Sequence, residues 1–544
     1  MSPLKRFFKL LNQDKKDIIY LYLYAICNGI INLSLPIGIQ AIMGLVLAGR
    51  LSTSWGILTL IVVMGVAVAG LFQIMQLYIV EILQRRLFAR AAFDFAFRIP
   101  KLNIKELGNS YLPELVNRFF DTISIQKSLS KILIDFSTSI LQIIFGLILL
   151  SLYHPIFIAF GLVLLLLLFL VIYLTYKPAL KTSIEESNHK YEMAFWLTEL
   201  ARSLPTFKLN TNSDLNLQRT DKIVNKYINS RKQHFKVLLS QYSGIIGLKT
   251  LVTAGLLIVG AILLISNSIT IGQFVAAEIV IILILNSSEK LIMSMEAIYD
   301  TLTAMDKIGR VTDINIEKDI ETEITLDPND KIGITAKDLE ILSIRNDTTI
   351  NQHINFNVTP GKHVCITGET GSGKSSILKI LSTNIDNYTG SVLFNDIPLK
   401  SLDINKIRKD ISCIDDNQEI FYGTIYENIT LGRKDIPFKN VVDVTKKVGL
   451  AKLVDNLPDS YQHLILNSEH VFSGTDRVRL FLARTMISNP KLVLTEDIFS
   501  NLKPENSKLL LDTLFEYCKN KTLIIVSNNE QVIRRCDSVI NLTE

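Results

Sequence analysis

The sequence predicts a chain of two parts, a membrane domain of six helices followed by an α/β domain. Six apolar segments lie in the first half of the chain. Hydrophobic residues make up 48% of the 544 residues, and the mean hydropathy is +0.31, which together indicate partial residence in a membrane. After Lys331, short apolar runs alternate with helical patterns, which predicts an α/β domain with a mixed sheet. The predicted central strands are Val364–Ile366, Leu492–Leu494 and Leu523–Val526. We therefore expect a membrane domain over residues 1–310, a linker over 311–330 and an α/β domain over 331–544.

The six apolar segments predict six membrane-spanning helices. A helix needs about 20 residues to cross a bilayer, so the shorter segments must extend into flanking polar residues. A single segment of this kind also fits a buried core helix, but six in one half of the chain favour a membrane. The first segment lacks a small-residue cleavage site, which favours a retained helix over a signal peptide. The segments are Ile18–Leu47, Trp55–Val80, Phe136–Leu152, Ile156–Tyr176, Ile245–Ile265 and Ile271–Leu285.

The connections between the segments separate by charge. Arg50 is the only charge between the first and second segments, whereas the alternate connections, 83–135 and 177–244, are long and basic. The positive-inside rule then places the long connections and both chain ends in the cytoplasm. About 20 extra helical residues on each side would carry the spans about 30 Å beyond the membrane. A basic cytoplasmic face opposes anionic lipid, so the charge gives no reason to expect nucleic-acid binding.

One carboxylate lies within the sixth apolar segment. Glu278 at that depth costs a few kcal/mol unless it is protonated, paired or facing water. It is either a substrate or proton contact in a central cavity, or a residue near the outer interface that reaches water or a partner helix. The five cysteines contain no C-x-x-C pair and are predicted to be reduced packing residues.

A phosphate-binding loop organises the second half. Residues 368–375, Gly-Glu-Thr-Gly-Ser-Gly-Lys-Ser, fit the P-loop pattern, and the flanking residues predict a strand before the loop and a helix after it. Glycines and a helix N-terminus form an anion site in such a loop, Lys374 would reach the β- and γ-phosphates, and Ser375 would ligate Mg²⁺. We therefore expect ATP and Mg²⁺ as cofactors. The predicted phosphate-binding residues are Gly368, Thr370, Gly371, Ser372, Gly373, Lys374, Ser375 and Ser376.

Six spans followed by a P-loop domain resemble a half-transporter of the ATP-binding cassette (ABC) exporter family. The segment from Phe97 to Arg118 is similar to the first intracellular loop of such exporters, with Pro113 in place of a Gly, and Leu197–Lys208 and Met305–Val311 are similar to two further family segments. The resemblance implies a six-helix transmembrane domain of ABC exporter type followed by an α/β P-loop nucleotide-binding domain. It also implies a multi-pass location in the inner (cytoplasmic) membrane, within the lipid bilayer, with the nucleotide-binding domain in the cytoplasm.

Within that family, the chain looks most like transporters of type I secretion systems and their peptide-exporting relatives. Because the first span begins near residue 18, we expect the N-terminal peptidase-like domain of those relatives to be absent. A membrane-fusion adaptor protein is then a further expected partner.

The resemblance also identifies the family's other active-site elements, and most of them are altered. Asp416 stands where the family has the Gln of the Q-loop, with Gln418 two residues on. The Walker B pair reads Glu496-Asp497 in place of Asp-Glu, and Asn528 replaces the switch His. Glu496 could hold Mg²⁺ through water, together with Ser375. We expect Asp416, Asp497 and Asn528 to be impaired as catalytic positions.

The signature segment and the adenine contact are altered as well. The signature reads Phe472-Ser473-Gly474-Thr475-Asp476; Ser473 and Gly474 remain as contacts for the γ-phosphate bound by a second chain, whereas Thr475 adds bulk and Asp476 adds charge. Phe356 is the only Phe, Tyr or Trp between Lys331 and Gly368, and its position does not fit the family's adenine-stacking aromatic.

Three functions fit these patterns. The first is the catalytically degenerate half of a dimeric exporter, paired with a complete paralogue, which couples ATP binding and hydrolysis to export of a peptide, protein or hydrophobic substrate. The second is a homodimeric exporter with slow hydrolysis. The third is a non-hydrolysing pseudo-ABC subunit with a structural or regulatory role. In each case the chain is related to ABC-type ATPases, and its own hydrolysis is expected to be weak or absent.

Overall fold

The computed structural model describes residues 1–47, 53–107, 111–209, 212–317, 324–327, 329–342, 349–416, 418–466 and 472–542, with the backbone alone for 349–352. The chain divides into two units, and each is described by itself. The first comprises Met1–Lys101 and Ser110–Ile314, and the second Leu102–Asn109 and Asn315–Glu544. Parts of the predicted linker (318–323 and 328), Arg50, and the positions about two dozen residues before the P-loop (343–348) lie outside the described residues.

The first unit is helical, and six of its helical stretches are long and apolar enough to span a membrane, which confirms the predicted number of spans. A π-helical turn over Lys131–Phe136 separates the last two of the three α-helices in the third stretch. The helices are α1 (Pro3–Asn12), α2 (Lys15–Asn32), α3 (Ser34–Leu47), α4 (Thr53–Arg98), α6 (Leu112–Asn117), α7 (Asp121–Ser130), α8 (Ser137–Tyr153), α9 (Ile156–Arg202), α10 (Leu204–Leu209), α11 (Leu215–Ile265) and α12 (Ile271–Thr312), while α5 (Ile104–Leu107) belongs to the second unit.

Four of these helices extend far beyond the apolar segments. Helices α4, α9, α11 and α12 contain 46, 47, 51 and 42 residues. At about 1.5 Å per residue they are roughly 60–80 Å long, about twice the thickness of the hydrocarbon core. The prediction that the spans continue as helices is therefore confirmed. Where α9, α11 and α12 pack together, Gln241 donates hydrogen bonds to Thr175 Oγ1 (2.7 Å) and to the Tyr299 hydroxyl (2.9 Å).

The second unit contains two main sheets. A four-stranded antiparallel sheet has the order β2-β1-β4-β5, and a five-stranded parallel sheet has the order β11-β3-β10-β9-β6. The strands are β1 (Ile334–Leu342), β2 (Thr349–Val358), β3 (His363–Thr367), β4 (Tyr388–Phe394), β5 (Ile397–Pro398), β6 (Ile411–Ile414), β7 (Gly423–Thr424), β8 (Leu464–Ile465), β9 (Leu492–Glu496), β10 (Thr522–Val526) and β11 (Ser538–Asn541).

The expectation of a mixed sheet is wrong, because the parallel and the antiparallel strands lie in separate sheets. Parallel neighbours need long crossover connections, whereas antiparallel neighbours can be joined by short ones. Helices lie between the parallel strands, while β1 and β2 follow one another directly. The helices of this unit after α5 are α13 (Lys374–Leu381), α14 (Ile404–Asp410), α15 (Ile425–Thr430), α16 (Phe438–Lys447), α17 (Ala451–Asp455), α18 (Gly474–Ser488), α19 (Pro504–Cys518) and α20 (Glu530–Ile533).

The three predicted central strands are β3, β9 and β10, and all three are buried. Val526 pairs with Ile366 on one side and with Glu496 on the other. The carboxyl ends of β3, β10 and β9 therefore meet at one edge of the sheet, which is where open α/β sheets bind ligands.

Candidate nucleotide-binding site

The P-loop joins the buried strand β3 to helix α13, as the sequence predicts. Gly371 and Gly373 have φ values of 93° and 88°, a left-handed backbone that residues with a side chain rarely adopt. Gly373 is the residue before the first turn of α13, so the loop leads into the helix N-terminus. Such a terminus presents backbone N–H groups and a positive dipole end to an anion.

The Lys374 ammonium lies against its own loop. It donates hydrogen bonds to the carbonyl oxygen of Gly368 at 2.6 Å and to that of Glu369, and lies 3.4 Å from Ser372 Oγ. Thr370 and Ser375 are exposed, and Ser376 is partly buried. The predicted phosphate-binding residues thus lie together in one loop and the first turn of one helix. This arrangement presents a cation, backbone N–H groups and hydroxyls to the same anion.

Asn528, directly after Ser527 at the end of β10, contacts the P-loop. Its side-chain amide donates to the carbonyl oxygen of Gly368 at 3.1 Å and accepts from the N–H of Gly368 at 3.2 Å. Both hydrogen bonds are at the surface. The amide is therefore paired with the backbone of a single loop residue.

Asp497, directly after β9, is held by two serines. Ser500 donates to it through its N–H (3.0 Å) and through its hydroxyl (2.6 Å), and the buried Ser527 hydroxyl donates to the same carboxylate. Asn529 completes this network by donating to Ser500 Oγ at 2.9 Å. Three donors from the protein thus bind the carboxylate that stands at the second Walker B position.

Asp416 follows β6 by two residues and Glu496 ends the neighbouring parallel strand β9, so both carboxylates lie at the same edge of the sheet. Burial, followed by the negative charges of Glu496 and Asp415, raises the pKa of the Asp416 carboxyl above its ordinary value. The side-chain amide of Gln418 donates to the carbonyl oxygen of Cys413 on β6. Carboxylates placed close together in this way favour a bound cation.

The signature segment begins helix α18. Ser473 caps the helix by accepting from the N–H of Asp476 at 3.2 Å, and its hydroxyl donates to the Asp476 carboxylate at 2.6 Å. Arg479 donates to the same carboxylate at 2.9 Å. Asp476 is thus part of a capping box, and its charge is paired inside the chain.

The sequence matches two families that cover most of the chain. Residues 351–499 match the family described as "ABC transporter", and residues 18–288 match "ABC transporter transmembrane region". The membrane region and the ATP-binding cassette region are therefore both present, in the predicted order. The chain belongs to the ABC transporter family.

Individual relatives agree with this membership. The chain is 23% identical over 348 residues (63% of this chain, 49% of the relative) to the alpha-hemolysin translocation ATP-binding protein HlyB of Escherichia coli O157:H7. It is 24% identical over 316 residues (57% of this chain, 54% of the relative) to an ATP-dependent lipid A-core flippase of Pseudoalteromonas atlantica. The matched segments span about half of the length of these relatives.

A solved structure of a bacterial Atm1-family ABC exporter with ATP bound has the same fold. Its TM-score is 0.85 at 18% sequence identity, over 97% of this chain and 93% of that one. This likeness confirms the predicted fold class, a membrane domain of exporter type followed by a nucleotide-binding domain.

Three polar residues of the nucleotide-binding unit were not predicted from the sequence to belong to the site. Ser500, Ser527 and Asn529 fix the side chain or the backbone around the altered catalytic positions. The polar run Ser527-Asn528-Asn529 directly after a buried strand was the available signal.

Phe356 lies in the core with 8% exposure, so it does not offer a ring for base stacking. Glu278 is partly buried on α12 and makes no hydrogen bond within the described part of the chain.

Proposed function

We propose that this chain is one half of a dimeric ABC exporter that binds ATP with Mg²⁺ and hydrolyses it in its own site slowly or not at all. One observation carries the proposal. The P-loop retains its lysine, whereas Asp497 and Asn528, which stand at the family's catalytic positions, are hydrogen-bonded to other groups of the protein.

The residues at this edge fit Mg²⁺. Ser375, Glu496 and Asp416 offer hydroxyl and carboxylate oxygens, which are the ligands that Mg²⁺ prefers. Among the described residues, no group of three or more His, Cys, Asp or Glu forms a metal site on its own. This pattern suits an ion that is held by one or two protein ligands and by nucleotide phosphates. When bound, Mg²⁺ would neutralise charge on the phosphates, with Ser375 and Glu496 as its protein ligands.

Weak hydrolysis follows from the two altered positions. Asp497 is one methylene shorter than the family's Glu, and it accepts three hydrogen bonds from Ser500 and Ser527. A misplacement of about 1 Å can cost about 10²-fold in rate. Asn528 cannot take up a proton as a histidine can, and its amide is paired with Gly368. Neither residue is well placed to act on an attacking water.

A second chain completes the transporter in this proposal. Exporters of this family work as dimers of half-transporters, and this chain carries one P-loop and one signature segment. The partner is a complete paralogue or a second copy. The relatives' names, hemolysin translocation and lipid flipping, support a peptide, protein or hydrophobic substrate. The first of these names also supports type I secretion with an adaptor protein. The basic connections support a cytoplasmic nucleotide-binding domain.

A non-hydrolysing subunit is a second candidate, and Asp476 favours it. In a dimer the partner's ATP would close on Ser473 and Gly474, but the Ser473 hydroxyl is bonded to Asp476. Both ATP sites of a heterodimer would then contain an altered element from this chain. ATPase activity of the co-purified pair separates the two candidates, because a structural subunit leaves that activity unchanged by Lys374→Ala and by Asp476→Gln.

The deciding experiment is ATP turnover and ATP binding by the chain purified alone in lipid, with Lys374→Ala as the blank. We expect ATP to bind and turnover to stay at the level of the blank. Turnover of about one per second or more, the low end of typical enzymes, would instead identify a self-sufficient homodimer. Loss of ATP binding in the unmodified chain would contradict the proposal altogether.

A further inference from the structure

The side-chain amide of Asn528 pairs with both backbone polar atoms of Gly368, the first residue of the P-loop. The donor distance is 3.1 Å and the acceptor distance is 3.2 Å, across 160 residues of sequence. A primary amide carries a donor and an acceptor side by side, so it matches the N–H and C=O of one residue as a neighbouring strand would. The geometry therefore joins the end of β10 directly to the loop after β3.

We propose that Asn528 is a positioning residue that latches the P-loop in its phosphate-binding shape. It strengthens the binding of ATP and of ADP equally, because it contacts the loop backbone and not the γ-phosphate. This inference rests on the proposed nucleotide-binding function. It differs from the role that the switch position has in the family, because it acts through the loop backbone and not through the third phosphate.

The shared carbonyl of Gly368 is the first reason. That oxygen accepts from Lys374 Nζ at 2.6 Å as well as from Asn528. When a phosphate draws the ammonium away, the amide of Asn528 still pairs with this carbonyl. The loop then keeps its shape as its lysine changes partner, and less ordering is needed when the nucleotide binds.

The fixed position of Asn528 is the second reason. On one side, the buried Ser527 hydroxyl donates to Asp497 and accepts from the N–H of Asn529 at 2.9 Å. On the other side, Asn529 donates to Ser500 and caps α20. The two residues flanking Asn528, Ser527 and Asn529, are therefore fixed by hydrogen bonds, and this fixes the backbone from which the Asn528 amide reaches the loop. A group held by anchored neighbours positions its partner more firmly than a free surface side chain does.

A histidine cannot form this latch. A neutral imidazole carries its donor and its acceptor on two separate ring nitrogens that point in different directions. It cannot bond to the N–H and the C=O of Gly368 at the same time. The substitution Asn528→His, which restores the family's residue, therefore separates the two roles.

The experiment measures Kd for Mg-ATP and for Mg-ADP separately on the full chain in lipid, using fluorescent analogues of both. The variants are Asn528→Ala and Asn528→His. The matched control is Asn440→Ala, an exposed asparagine on α16, a helix that contributes no residue to the site. We expect Asn528→Ala, which loses both hydrogen bonds, to bind ATP and ADP more weakly by the same factor, on the order of tenfold. Asn528→His, which can keep at most one of the two bonds, should also weaken both nucleotides equally, by that factor or less. The control should bind both as the unmodified chain does.

Two results would overturn the latch. One is a loss of ATP binding with unchanged ADP binding in Asn528→Ala, and the other is stronger binding of ATP alone in Asn528→His. Either result would identify a sensor of the γ-phosphate. Equal affinities in all variants would also contradict the proposal.

Hydrogen exchange gives a second test that needs no nucleotide. The N–H of Gly368 donates to Asn528, so exchange of the peptide containing residue 368 should become faster in Asn528→Ala and stay unchanged in Asn440→Ala. An unchanged rate in Asn528→Ala would overturn the latch. Rapid ATP hydrolysis by the unmodified chain would overturn the proposed impairment alone, because neither the exchange rate nor the ATP-to-ADP comparison depends on hydrolysis.

Discussion

The two sides of the nucleotide site use their polar groups differently. On the P-loop side, the Lys374 ammonium is bonded to oxygen atoms of its own loop, and Ser375 is exposed. Asp497, after β9, is bonded to Ser500 of its own turn and to Ser527 at the end of β10, and Asn528 is bonded to Gly368 of the P-loop. A nucleotide can replace the loop oxygens as the partner of Lys374 by moving that one flexible side chain. The bonds from Ser527 to Asp497 and from Asn528 to Gly368 instead connect the ends of neighbouring strands. The P-loop groups can therefore bind a nucleotide even though the altered groups at the strand ends are poorly placed for hydrolysis, so hydrolysis can be lost while binding remains.

The largest expected effect is on the P-loop side. Lys374→Ala removes a charge-assisted contact to the phosphates, which is worth about 1.5–3 kcal/mol. We expect ATP affinity to fall on the order of 100-fold, as measured by equilibrium binding in lipid. The matched control is Lys379→Ala on the same helix, α13, which should keep its affinity. Equal losses in both variants would indicate that general charge, and not the loop lysine, holds the nucleotide.

The P-loop and the signature segment differ in the backbone strain that a side chain would introduce at their glycines. At Gly371, φ is 93° and a Cβ would meet no atom within 4 Å, so Gly371→Ala introduces strain without a clash. A side chain in the left-handed region costs about 1–2 kcal/mol, and we expect the free energy of unfolding of the nucleotide-binding unit to fall by that amount.

Gly474, the first residue of α18, is the control for this prediction. A Cβ at Gly474 also meets open space, and its φ is not positive. Gly474→Ala should therefore leave the unfolding midpoint unchanged or slightly raised, because alanine favours a helix. A larger loss in Gly474→Ala than in Gly371→Ala would contradict the assignment of strain to the P-loop.

This contrast also explains how much could be predicted from the sequence. The P-loop is one continuous segment, so its strand, loop and helix followed from local pattern, and the six spans followed from apolar length. The bonds of Asn528 to Gly368 and of Ser527 to Asp497 depend on β10 lying between β3 and β9. That strand order is a property of the folded sheet. The altered residues could be identified from the sequence, but their new partners could not.

Substitutions at the start of α18 test whether the bonds of Asp476 to Ser473 and Arg479 stabilise the folded protein. Asp476→Ala removes a capping box and the ion pair with Arg479, so we expect a loss of about 1 kcal/mol in the free energy of unfolding. The comparison is Asp512→Ala on α19, which removes only the ion pair with Arg535. A surface pair of that kind contributes about 0–1 kcal/mol. Equal losses in the two variants would show that the capping bonds to Ser473 contribute nothing.

The smallest expected effect concerns Asp416. Its pKa is raised above the ordinary 3.8, first by burial and then by the charges of Glu496 and Asp415. The folded chain therefore holds this proton more tightly than the unfolded chain, and ionised Asp416 disfavours folding. The penalty is absent below about pH 3.8, grows between that value and the raised pKa, and is complete above it. Asp416→Asn should raise the midpoint of thermal unfolding at neutral pH and leave it unchanged near pH 3.

The control for this prediction is Asp443→Asn, which changes an exposed carboxylate on α16 and should have no effect at either pH. Adding Mg²⁺ with ATP should stabilise the unmodified chain more than Asp416→Asn, because a cation offsets the repulsion between Asp416 and Glu496. An equal gain in both proteins would mean that Asp416 does not face the bound ion. The acidic edge would then consist of Glu496 alone, and the difference between the two sides of the site would lie only in the bonds of Asp497 and Asn528.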